Sequence, residues 1–196
     1  MKLRYLLAML ILLPACTESD AMNALTFGGG VPAAGGTACA GYSTDCADAT
    51  HGTNTYLLSD GGSDHTDAQR WTASQGGTAT RIRYYFTDYY DAANYKVALY
   101  NGTTLVGTGT ITGSANSWVW SGNLSVEGGQ SLTFAQNDVL RPCIAVDDPV
   151  TNGFQIDWKA GSGTDYWDYS ETYAPASITW TSDSSYIVSI QLEYTY

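Results

Sequence analysis

The sequence is poor in charge, and poorest in positive charge. Of its 196 residues 14% are charged, against roughly 25% in ordinary soluble proteins. Only 8 Lys and Arg stand against 19 Asp and Glu, a formal net charge of -11. Nucleic acid and anionic lipid both require a positive field, so the charge argues against either as a partner. Glutamate is scarce, at Glu18, Glu127, Glu171 and Glu193 alone. None lies in the alternating Glu-x-Asp strand pattern that would set paired glycosidase carboxylates about 5 to 10 Å apart. The aspartates mostly flank turns, where local backbone bonding accounts for them. Histidine occurs twice, at His51 and His65. Neither has metal-ligand spacing or a triad context, and Gly-x-Ser-x-Gly is missing. Both read as exposed loop residues. Helical patterning is lacking too, since no stretch after residue 17 carries a long apolar i, i+3, i+4, i+7 stripe.

Cysteine is the next sparse residue, with Cys16, Cys39, Cys46 and Cys143. Cys39 and Cys46 bracket the flexible stretch Ala-Gly-Tyr-Ser-Thr-Asp, short enough to close, and are expected as a disulfide in an oxidising compartment. Cys143 follows Pro142 in an apolar run and reads as a small buried hydrophobe.

What is present divides the chain into three parts. Residues 1–16 place Lys2 and Arg4 before the apolar run Tyr5 to Leu13 and the end Pro14-Ala15-Cys16, the layout of a secretory signal peptide. The run is too short to span a bilayer. Leu13-Pro14-Ala15-Cys16 resembles a bacterial lipobox, although Pro14 departs from the usual residue there. The resemblance implies lipidation of Cys16 and, with Thr17 following, an outer-membrane or cell-surface address. Ordinary secretion to the exterior is the alternative. Membrane contact is expected only through that anchor. Residues 17–50, rich in Gly, Ala, Ser and Thr, read as a flexible tether ending in the disulfide loop. Residues 51–196 read as the folded domain.

Within that domain short alternating runs recur. Arg81 to Phe86 sets Ile82, Tyr84 and Phe86 on one face and both arginines on the other. Asn101-Gly102 between Lys96–Tyr100 and Thr103–Val106 predicts a hairpin with a type I′ turn. Tyr186 to Tyr196 alternates throughout and is expected in the middle of a sheet. Trp118 and Trp120 share one face, either both in the core with Val119 outside or both exposed over Val119, and the core is expected because desolvating an indole outweighs burying one valine. The whole predicts an all-β, antiparallel two-sheet sandwich of jelly-roll-like order.

The strand Thr80–Tyr85, the hairpin Val97–Val106 and the strand bearing Trp118 are similar to bacterial secreted jelly-roll modules. The likeness spans residues 68 to about 146 and rests on strand pattern. It implies a carbohydrate-binding or adhesive β-sandwich.

Two acid-flanked aromatic clusters, read as loops, stand out as ligand-binding candidates, one at Tyr89 and Tyr90, the other at Asp165, Tyr166, Trp167 and Asp168. Sugar rings present C–H faces to aromatics and hydroxyls to carboxylates, so such mixtures suit glycans. Asp60, Asp64 and Asp67 form an acidic stretch that could hold Ca²⁺ as a cofactor, with solvated turns as the simpler account. The expected function is a non-catalytic, surface-displayed or secreted module binding glycan or another surface polymer. A self-assembling filament or surface-layer subunit, packing against copies of itself, is the alternative, and an atypical hydrolase the third.

Overall fold

The computed structural model describes residues 35–48, 50–57, 64–88, 94–147, 155–169 and 174–196. They form strands β1 (Thr37–Gly41), β2 (Asn54–Leu57), β3 (Asp64–Gln69), β4 (Trp71–Thr72), β5 (Gly77–Asp88), β6 (Asn94–Asn101), β7 (Thr104–Gly109) and β8 (Ser117–Trp120). The later strands are β9 (Ser125–Val126), β10 (Thr133–Phe134), β11 (Val139–Asp147), β12 (Gln155–Ala160), β13 (Thr164–Tyr169), β14 (Thr181–Asp183), β15 (Tyr186–Val188) and β16 (Ile190–Thr195). The described residues contain no helix. The first sheet runs β1-β16-β5-β12-β15, with β8 and β10 also pairing β5 and β2 pairing β12. The second runs β14-β13-β3-β11-β6-β7-β9, with β4 on β11. These pairings are antiparallel. The protein is an all-β sandwich.

Period-two alternation builds the core between the sheets. Ile82, Tyr84 and Phe86 of β5 and Ile190 and Leu192 of β16 meet Val97 and Leu99 of β6 and Ile144 and Val146 of β11. Removing each such side chain from water stabilises the fold by roughly 1.5–3 kcal/mol. β16 lies between β1 and β5, so the last strand is central. The alternating run that contains it is interrupted at Ser189, which separates β15, paired with β12, from β16.

Residues 37–41, whose composition is that of the tether, form β1, paired from Thr37↔Thr195 to Gly41↔Gln191. Cys39 and Ala40 are buried there. A strand this poor in apolar area draws its order from the ladder it shares with β16 and not from its own side chains. The Cys39–Cys46 disulfide is present, with a Cα–Cα distance of 5.1 Å.

The β6–β7 hairpin forms, but one residue later than the sequence suggests. Asn101 is the last strand residue and pairs with Thr104. Gly102 has φ of 62° and Asn101 does not share the positive sign. With glycine first in a two-residue loop, the sign pattern is that of a type II′ turn and not type I′.

Candidate functional site

The residues of β5 that point away from the core are Arg81, Arg83 and Tyr85. β8 is in register with them, Arg83↔Trp120, Tyr84↔Val119 and Tyr85↔Trp118. This register corrects the expectation for the tryptophan strand. Val119 packs against the core, and both indoles lie on the outer face, each half-buried. The reason is local: Val119 lies beside the inward Tyr84, so its neighbours must point outward. The indoles are not simply given up to water. The Arg81 guanidinium carbon lies 4.4 Å from the Trp120 ring centroid. That of Arg83 lies 4.7 Å from Trp118 and 5.0 Å from Trp120. Arginine and tryptophan thus form a cation–π ladder, each contact worth about 0.5–1 kcal/mol at a surface.

The ladder is fixed from both sides. On β16, Glu193 accepts two bonds from Arg81, from Nε at 2.7 Å and from Nη2 at 2.9 Å. Those bonds hold the Glu193 carboxyl below its ordinary range and raise the Arg81 guanidinium above its own. Arg83 is buried and donates to the side-chain oxygen of Gln191 and to the Asp48 carbonyl. Burial lowers its pKa, against the opposing pull of the Asp48 and Asp45 carboxylates.

The disulfide loop closes one end. Gln191 donates to the Ser43 carbonyl at 3.1 Å, and the Tyr42 amide donates to the Ile190 carbonyl at 2.9 Å. The Tyr42 ring then stands edge-on to Trp118 at 6.1 Å and carries the Lys159 ammonium 4.2 Å from its centroid. Tyr85 meets Trp118 edge-on at 5.7 Å and is covered by the stacked His51 ring at 3.6 Å. Gly52 lets this segment lie on the sheet, since an added Cβ would come within 2.2 Å of the Trp158 carbonyl oxygen.

His51 is therefore more than an exposed loop residue. Its Nδ1 lies 3.0 Å from Asp157 Oδ2, and the Ser189 hydroxyl donates to Asp157 Oδ1 at 2.6 Å. Serine, histidine and aspartate meet, but in an order unlike that of a hydrolase triad. The carboxylate stands between the other two, and Ser189 Oγ accepts the Gly52 amide at 3.0 Å. A nucleophilic serine must instead give its proton to the histidine. Ser189 and Asp157 are buried, and the trio fastens residues 50–53 to the sheet.

The sequence candidates disperse. Cys16, Asp60, Tyr89 and Tyr90 lie outside the described residues. Tyr166, Trp167 and Asp168 are not in a loop. They belong to β13, in register with Asp67, Thr66 and His65. Asp165 of the same strand is completely buried. It accepts from Arg70 at 3.0 Å, from Ser182 at 2.7 Å and from Arg141, so its oxygens serve the protein and not a ligand. Asp64 and Asp67 are strand residues of β3, in register with Tyr169 and Tyr166, and not turn residues. Asp67 is buried, 3.5 Å from the Tyr186 hydroxyl. No group of three or more His, Cys, Asp or Glu able to hold a metal occurs among the described residues. Cys143 is buried, donates to the Ala98 carbonyl at 3.3 Å and has its thiol pKa pushed up by burial.

Sequence reasoning missed Arg81, Arg83, Glu193, Tyr42 and Lys159 as members of one site. The signal that could have found part of it is the pair of alternations Arg-x-Arg and Trp-x-Trp, one on each of two strands. Seeing that they face each other needs the β5–β8 register. Elsewhere, a shallow cavity of about 390 Å³ lies between Thr104 and Leu105, the Glu127–Gly128 turn and Ala174. Compared with known proteins, the chain matches no protein-family model and no curated protein sequence.

Proposed function

We propose that this protein is a non-catalytic β-sandwich module, of jelly-roll type, that binds a glycan or other surface polymer through the outer face of its first sheet. The observation that carries the reading is the pair of half-buried outer-face indoles, Trp118 and Trp120, stacked on Arg81 and Arg83. Tryptophan, tyrosine and arginine contribute most where a surface must bind, because they combine area, stiffness and hydrogen bonding. Here the three types adjoin, with the ladder geometry already in place before any ligand arrives. Binding then costs little ordering of side chains.

The N-terminal sequence supports display outside the cell, either anchored by lipid on Cys16 or freely secreted. The Cys39–Cys46 disulfide is compatible with that setting.

The test is a polysaccharide-binding assay on the full chain and on Trp118→Ala. Binding by the parent and a loss of about tenfold or more in the variant, with the circular dichroism spectrum unchanged, is the expected outcome. Concentration-dependent polymerisation without any glycan signal would replace this reading with that of a self-assembling subunit. Val126, 52% exposed on the short strand β9, gives such assembly a place to begin.

A further inference from the structure

We infer that the polymer taken by this face is a neutral polysaccharide and not an acidic one, an inference that rests on the binding-module reading above. Three of the chain's 8 basic residues, Arg81, Arg83 and Lys159, gather on the outer face of the first sheet. Such a cluster on a protein of net charge -11 invites the opposite conclusion, a site for uronate or sulfate groups. The geometry argues against it.

The two guanidinium groups already have partners. Arg81 gives two bonds to the Glu193 carboxylate. Arg83 is buried between the indoles and directs its bonds to Gln191 and the Asp48 carbonyl. Lys159 lies over the Tyr42 ring. The carboxylates of Asp48, Asp45 and Glu193 act on Arg83, and those of Asp157 and Asp48 act on Tyr42, the ring that carries Lys159. The patch is balanced, and the rest of the molecule is acidic. An acidic polymer would approach against the overall field and would compete with Glu193 for Arg81.

A neutral sugar chain meets neither obstacle. Its C–H faces pack on the exposed parts of Trp118, Trp120 and Tyr42, while its hydroxyls donate to Glu193 and accept from Lys159. The chemical class is a polymer of uncharged hexose or pentose units.

The experiment compares hydroxyethylcellulose, galactomannan and mixed-linkage β-glucan with alginate and polygalacturonate, using the full chain at low and high salt. At least one neutral polymer should bind, with affinity changing less than about twofold between 50 and 500 mM NaCl, since no ion pair is formed to be screened. Glu193→Gln removes the carboxylate that neutralises Arg81 and should raise alginate binding by about threefold or more at low salt. Preferential binding of alginate or polygalacturonate by the parent chain, falling steeply with salt, would overturn the neutral class while leaving the binding-module reading intact. Binding of no polymer from either group would overturn both. Alginate binding in Glu193→Gln no stronger than in the parent would count against the charge argument itself.

Discussion

The two outer faces of the sandwich carry the same kinds of residue in opposite arrangements. On the first sheet the indoles of Trp118 and Trp120 are at the surface and the arginines lie between and beside them. On the second, the carboxylate of Asp165 is the buried centre, Arg70 and Arg141 converge on it, and one indole, Trp180, covers the group. Trp180 also donates to the Gly102 carbonyl at 3.2 Å and stands edge-on to the buried Tyr100 at 5.2 Å. Residues 174–178 add to that cover, with Leu105 and Thr103 bonded to Ala176 and Ile178. The comparison teaches that residue type does not separate a binding face from a structural one. What separates them is what the indoles pack against: Trp180 lies on the buried cluster around Tyr100, whereas Trp118 and Trp120 lie on arginine at the outer face.

The largest expected effect breaks the second face. Asp165→Ala leaves two guanidinium groups converging on nothing, and the loss of a partner from a buried ionic cluster should cost about 3 kcal/mol. Urea unfolding would show it as a lowered midpoint, whereas polysaccharide binding should survive in the folded fraction. A variant with unchanged stability would mean that the cluster is less dry than its burial implies.

Next is the staple of the first face. Replacing Cys39 and Cys46 together by serine removes a short loop closure worth about 2 kcal/mol. More informative is where the change is felt. Tyr42 and the Asp48 carbonyl leave the ladder with the loop, so tryptophan fluorescence should change and polymer binding should weaken. Loss of stability with unaltered binding would detach the loop from the site.

The smallest effect concerns pH. The Glu193 carboxyl is held down first by its bonds to Arg81, against a reference value of 4.5. A depressed folded pKa contributes stability that is present above the unfolded value and is lost as pH falls through the folded one. The ladder should therefore loosen only in acid below about 4.5, read as a change in tryptophan emission, and Glu193→Gln should abolish that step.

Much of the fold was legible in the residues. Ile82, Tyr84 and Phe86 alternate with arginines, and an alternating strand with one apolar face has one sensible way to lie on a core. Cys39 and Cys46 were close enough in sequence to pair. The site was far less legible. Trp118-Val119-Trp120 alternates equally well with either face inward, and only pairing with Tyr84 decides which. Asp165 and its aromatic neighbours read as a loop because aspartate is common in turns, yet two partner strands hold them in a ladder. The Gly- and Ala-rich residues before Tyr42 looked too weak to order, because the order comes from β16, far away in sequence.

The sequence by itself determined the class of structure: alternation set the strands, charge scarcity set the partners to be doubted, and cysteine spacing set the disulfide. Tertiary structure alone decided which face of each ambiguous strand meets water and which charges cancel. Alternation has a period of two and no sign, so it specifies that faces differ without specifying which one is buried. That choice is made by neighbours brought together from distant parts of the chain, Arg83 from β5, Trp118 from β8, Gln191 from β16 and Asp48 from the disulfide loop.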